Sequence, residues 1–172
     1  MGKVLRMAWG LKSVILALLL SLFCSHVSAQ NSTSDGVRKQ VFNVASKYEN
    51  TKGVLAMTCE DGVKMQTVKM ILRKQFNSEF ANSVKAFAIV IYKDAPSETI
   101  NQIVGDVGQI ITPLQEIDIK DKMKNGEVAR GYIRLSEDKT KITDLIIVVQ
   151  APSPKLIYIC GEFDIEAARM MI

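Results

Sequence analysis

Residues 141–161 read KITDLIIVVQAPSPKLIYICG, and this stretch limits the fold more than any other. Residues 145–149 and 156–159 are short apolar runs rich in Ile and Val. Ala151, Pro152, Ser153 and Pro154 separate them. Runs this short, broken by two prolines, predict two strands joined by a tight connection rather than one long helix. Neither run alternates with polar residues, so both strands are expected to be covered on both faces, in the middle of a sheet.

The chain begins MGKVLRMAWGLKSVILALLLSLFCSHVSAQ. Lys3, Arg6 and Lys12 form a positive start, residues 14–23 are apolar, and Val27-Ser28-Ala29 is a small-residue cleavage pattern. This is the three-part form of a secretory signal peptide, with cleavage expected before Gln30. The apolar run falls short of the roughly 18–20 residues that cross a bilayer, so no transmembrane span is expected to remain after cleavage. Leu22 and Phe23 precede Cys24 where a lipidation site needs small residues, so Cys24 is not read as a lipid anchor.

Removing residues 1–29 leaves 143 residues and takes away the only histidine, His26, and the only tryptophan, Trp9. It leaves 19 basic against 18 acidic residues, a net charge of +1 in place of the +4 of the whole chain. The basic balance of the precursor therefore implies no nucleic-acid partner. The expected organisation is a cleaved signal peptide over 1–29, a disordered polar tail over 30–36, and a single domain over 37–172, long enough to bury a core.

Val41, Val44, Ala45 and Tyr48 recur at helical spacing, which predicts a helix over 37–47, opened by Ser34 or Asp35. A strand over 54–59 follows, then a helix over 63–80 with Met65, Val68, Ile71, Leu72, Gln75, Phe76 and Phe80 on one side. A second non-alternating strand spans 86–92. Strand, helix, strand suggests a crossover unit, right-handed if the strands are parallel neighbours. A third helix, opened at Pro96-Ser97, carries Ile100, Ile103, Val104, Val107, Ile110 and Ile111 as an apolar stripe. Gly105 and Gly108 within it are expected to serve close helix packing. Pro113 ends that helix. Strands over 114–120 and 127–136 flank Asn125-Gly126, a strong hairpin signal. Asp164 is expected to cap a last helix over 165–172, whose Met170-Met171-Ile172 completes the core. The fold class is α+β, a single mixed, largely antiparallel sheet of about six strands. It has a β-α-β start and a four-strand C-terminal meander, and helices pack on it.

Residues 142–164, ITDLIIVVQAPSPKLIYICGEFD, resemble the ending of a Bacteroidetes family of small, exported, lipoprotein-like domains of unknown function. There a Lys/Ile-x-(Glu/Asp)-Leu start leads into aliphatics, a short Pro-containing turn follows, and an aliphatic-(Tyr)-x-x-Gly-x-(aliphatic/Phe)-Asp segment closes the domain. Lys52-Gly53-Val54 entering a strand is similar to the family's start, and the resemblance spans most of residues 40–168. Cys59-Glu60-Asp61-Gly62 stands where many members carry lysine and methionine. The resemblance implies fold and an envelope location, with a faint tie to signalling through extracytoplasmic sigma factors. It implies no catalytic residues.

Without histidine, the mature chain lacks the commonest general base, any Ser-His or Cys-His pair and the commonest transition-metal ligand. No cofactor, metal site or catalytic residue is expected. Carboxylates cluster at Glu60-Asp61, at Glu116 with Asp118, and at Glu162, Asp164 and Glu166. Such groups serve glycoside hydrolysis when paired, but here they read as caps, strand ends and exposed positions. Cys59 and Cys160 both end apolar strands. A disulfide closing about one hundred residues, worth ~4–5 kcal/mol in the chain-entropy model, stands against two reduced, buried, inert thiols. The second reading is preferred.

Arg130, Tyr132 and Arg134 fall on one face of an alternating strand and form the one aromatic–basic surface available to an acidic partner, against the plainer reading of a solvated strand face. The preferred expectation is an exported, non-enzymatic binding domain of the bacterial cell envelope that contacts an envelope protein through its sheet face or edge. The alternatives are a small apolar-ligand binder, using a pocket between the sheet and the third helix, and a carboxylate-based hydrolase.

Overall fold

Residues 141–161 do sit at the centre of a sheet. In the computed structural model, which describes residues 36–75, 77–117 and 128–164, β5 (Lys141–Ala151) and β6 (Lys155–Asp164) pair antiparallel from Lys141↔Asp164 to Val149↔Lys155. The connection between them contains a cis Ala151–Pro152 peptide bond. Around this hairpin lie α1 (Gly36–Tyr48), β1 (Leu55–Cys59), α2 (Gly62–Gln75), α3 (Ser78–Ser83), β2 (Val84–Ile91), α4 (Ser97–Ile111), β3 (Gln115–Ile117) and β4 (Val128–Leu135). The strand order is β1-β2-β6-β5-β4-β3. The fold is α+β, with the C-terminal meander as expected. All five pairings are antiparallel, so among the described strands the sheet is not mixed.

The reason lies at Asn77. Instead of one helix over 63–80 there are two. Asn77 takes extended backbone angles and its side-chain oxygen accepts the Phe80 N–H at 2.7 Å, capping α3. The chain then folds back on α2. The Arg73 guanidinium donates to the Asn82 side chain at 2.7 Å, and the Lys69 ammonium to the Asn82 carbonyl at 3.4 Å. An unbroken helix would deliver the chain to the far end of β1, whereas this helical hairpin returns it to the end it left. β2 therefore runs antiparallel to β1, and the expected crossover does not form.

Strand alternation divides the interior in two. One face carries Ala86, Ala88 and Val90 of β2, Leu156, Tyr158 and Cys160 of β6, Ile146 of β5 and Tyr132 of β4. It packs against Val37, Val41, Val44, Ala45 and Tyr48 of α1 and Ile103, Val107 and Ile110 of α4. Residues such as Ile103, Ile146 and Leu156 are wholly buried, each worth about 1.5–3 kcal/mol relative to exposure. The other face carries Phe87, Ile89, Leu145, Ile159 and Phe163, with α2 and α3 alongside. Met65, Val68 and Leu72 of α2 are buried, and the Phe80 ring of α3 lies 4.7 Å from that of Phe163.

Two glycine positions are constrained by close approach. A Cβ at Gly161 would collide with the Ser83 carbonyl and the Phe163 ring, and one at Gly53 (φ +80°) with the Asp94 carbonyl. Gly105 and Gly108, in contrast, face open space: a Cβ on either would touch nothing. They do not mediate the close packing expected of them, and their neighbour Val104 is exposed.

Residues 34–172 form one compact unit. No described helix is long and apolar enough to cross a membrane. The expected signal peptide, the expected caps Ser34 and Asp35, the expected Asn125-Gly126 turn and the helix expected over 165–172 lie outside the described residues. Asp164 is the last residue of β6.

Candidate functional site

The chain gathers its polar chemistry at one end of the sheet. There β1 and β6 finish, β2 and β5 begin, and β4 finishes beside β5. Register places Arg134 opposite Asp144 and Asp144 opposite Cys160, a row of three side chains across β4, β5 and β6. Asp144 is fully buried, the one buried polar or charged side chain among the described residues. Its Oδ2 accepts from Arg134 Nε at 2.6 Å and from Thr143 Oγ1 at 2.9 Å, and its Oδ1 from the Tyr158 hydroxyl at 2.6 Å. No described buried side-chain nitrogen or oxygen lacks a partner.

A buried carboxylate costs several kcal/mol in lost hydration and persists only when fully bonded. Here one guanidinium and two hydroxyls meet that requirement. The same contacts hold Arg134 in place, since its side chain is still 36% exposed while its partner is inaccessible. Tyr158 is set from above by α1, whose Phe42 ring meets it edge-on at 6.5 Å. Burial first, then the Asp144 charge and hydrogen bond, and then Cys160 push the Tyr158 hydroxyl far up its scale. It is a fixed donor and not a base.

Two cavities open beside this row and share Lys85 and Glu162. One, of about 320 Å³, is bordered by Arg134, Thr143, Cys160 and the turn beyond β4. The other, of about 490 Å³, is bordered by Lys69, Asn82, Lys141 and Glu60. Lys85 and Glu162 pair at 2.5 Å, and the Lys85 ammonium draws the Glu162 carboxyl below its usual range. Together they form an open, mixed-charge groove, with Arg134 held at one side.

Of the residues singled out from sequence, Arg134 belongs to this groove. Arg130 is exposed and lies 3.5 Å from Glu116. Tyr132 is buried beneath the helices, so the three do not form one solvent-facing patch. β4 is the fifth strand of six and not an edge, and the face it shares with Arg130 and Arg134 is the helix-covered one.

Cys59 and Cys160 are both buried, and neither is in a disulfide. Cys59 pairs with Phe87 and Cys160 with Ala86, so they lie on opposite faces of the sheet with β2 between them. A bridge through the sheet is geometrically impossible. Burial pushes the Cys59 thiol up to about 12, with Glu60 and Asp61 adding to the effect and Lys64 opposing it. Cys160 borders the smaller cavity.

Glu60 and Glu162 both border the larger cavity, but each carboxylate is engaged by a basic side chain. Glu60 reaches Arg38 at 3.5 Å, Glu116 reaches Arg130, and Glu162 reaches Lys85, each exposed. Asp118 and Glu166 lie outside the described residues. Among the described residues no three His, Cys, Asp or Glu side chains form a group able to hold a metal ion. Asp144 is not among the residues singled out from sequence; the one signal for it is a carboxylate directly before an unbroken apolar run.

No family model, no curated protein and no solved structure matches the chain.

Proposed function

We propose that this protein is an exported, non-enzymatic interaction domain of the bacterial cell envelope, and that it receives an envelope protein in the groove at the end of its sheet. Export rests on the leader, and the envelope setting on the leader together with the resemblance of residues 142–164. One observation carries the contact site: a fully buried Asp144 fixes Arg134 beside an open groove whose border includes the charged side chains of Lys85, Glu137 and Glu162. A pre-ordered arginine loses little freedom when it meets a partner, and arginine is enriched among residues that dominate interfaces. Charged walls suit a polar protein surface better than an apolar ligand, which calls for an apolar lining. Helices cover both faces of the central strands, so the sheet's end and edges are the parts left to bind.

The test is a crosslinked pull-down of the tagged protein from its native envelope, read by mass spectrometry. Lys85 and Lys141 are exposed, so Lys85→Glu with Lys141→Glu changes the groove and spares the core. One dominant partner that is lost in this variant supports the reading. An unchanged set of captured proteins, or none, overturns it.

A further inference from the structure

We infer that β1 is the surface through which two copies of this chain associate, edge to edge and antiparallel, extending the sheet across a two-fold axis. Among the described strands β1 pairs on one side only, with β2. An open edge is normally blunted by a charge, a proline or a bulge. β1 has none of these: its sequence is Leu-Ala-Met-Thr-Cys, and its register with β2 runs unbroken from Leu55↔Ile91 to Cys59↔Phe87. Leu55 is 52% exposed, a large apolar side chain at the start of that edge, while Ala56, Met57 and Thr58 are half-buried.

The flanking charges select the occupant. Exposed Lys52 precedes β1, and exposed Glu60 and Asp61 follow it. Glu60 also reaches Arg38 within its own chain, with its side chain 43% exposed. Antiparallel pairing of two β1 strands brings the Lys52 end of each against the Glu60–Asp61 end of the other, twice over. Parallel pairing would set like charges side by side. The chain thus carries the complement to its own edge, which is the condition for a closed two-fold contact. This inference goes beyond the groove at the sheet's end and uses none of its residues except Glu60, so the two can fail separately.

Sedimentation of the purified protein over a concentration series tests it, with circular dichroism confirming that each variant is folded. The expected result is a reversible monomer–dimer equilibrium. Leu55→Lys and, separately, Lys52→Glu should each weaken it about tenfold. Lys52→Glu combined with Asp61→Lys should recover it, which a folding defect would not do. A monomer at every concentration overturns the inference. So does a dimer indifferent to Leu55→Lys, which places the contact elsewhere, and so does failure of the double reversal to rescue, which excludes the antiparallel register.

Discussion

Tyr158 donates its hydroxyl to the buried carboxylate of Asp144 at 2.6 Å, across adjacent central strands and under the first helix. Arg134 bonds the other oxygen of the same carboxylate, so three strands are tied through one side chain. Because the sheet face is otherwise apolar here, this contact also pins register: a slip of one residue would turn Asp144 away from both donors and place an apolar side chain in their midst.

Removing the charge should therefore be costly. Asp144→Asn removes the buried carboxylate that Arg134, Thr143 and Tyr158 all bond, and is expected to destabilise the protein by about 3 kcal/mol. Tyr158→Phe removes one hydrogen bond to a charged group and should cost about 1.5–3 kcal/mol. Urea unfolding measures both. A double-mutant cycle of Asp144→Asn with Arg134→Met should show strong non-additivity, because both changes break the same contact. Additive losses would mean that the two groups act independently.

Cys59 and Cys160 should remain two separate thiols. With its thiol pushed up to about 12, Cys59 is neutral at pH 8, and a thiol rather than a thiolate is a poor nucleophile. Maleimide labelling at pH 8 should be slow in the folded protein and rapid in denaturant. Peptide mapping after air oxidation should show no link between the two cysteines. Finding one would require a rearranged sheet.

Lys47 and Tyr48 of α1 both donate to Asp106 of α4, at 2.7 and 2.9 Å. The Lys47 ammonium chiefly, and the Tyr48 hydroxyl to a lesser degree, hold the Asp106 carboxyl below its usual range, while partial burial opposes them. A carboxyl depressed in the folded state adds stability above its unfolded pKa, and this is lost as the pH falls through the folded value. Asp106→Asn should thus lower stability modestly at neutral pH, by much less than Asp144→Asn, since the pair is partly exposed. The difference from the native protein should shrink to nothing in strong acid. A difference that persists there would assign the effect to packing.

Much of the fold could be read from local pattern. The non-alternating runs at 145–149 and 156–159 marked central strands because only a strand covered on both sides can dispense with polar residues. The stripe Val41, Val44, Ala45 and Tyr48 marked the buried side of α1 by its spacing alone. Period-two alternation puts Tyr132 on the same face as Arg130 and Arg134, but it shows only which residues share a face and not whether a helix covers it.

Short stretches of sequence mark most of the strands and helices and which strands are central, because backbone preference and hydrophobic period are local properties; the helix expected over 63–80, which is two, is the exception. The sequence also shows that residues 30–172 contain no histidine. Only the tertiary structure decided that Asn77 folds the second helix back and makes the sheet antiparallel, that Cys59 and Cys160 lie on opposite faces, and that Asp144 lies between Arg134 and Tyr158. The last two depend on register between segments distant in the chain, and the first on the helix–helix contacts that Arg73 and Lys69 make with Asn82. A one-residue shift in pairing reverses every side chain, and no local pattern records which register the assembled core selects.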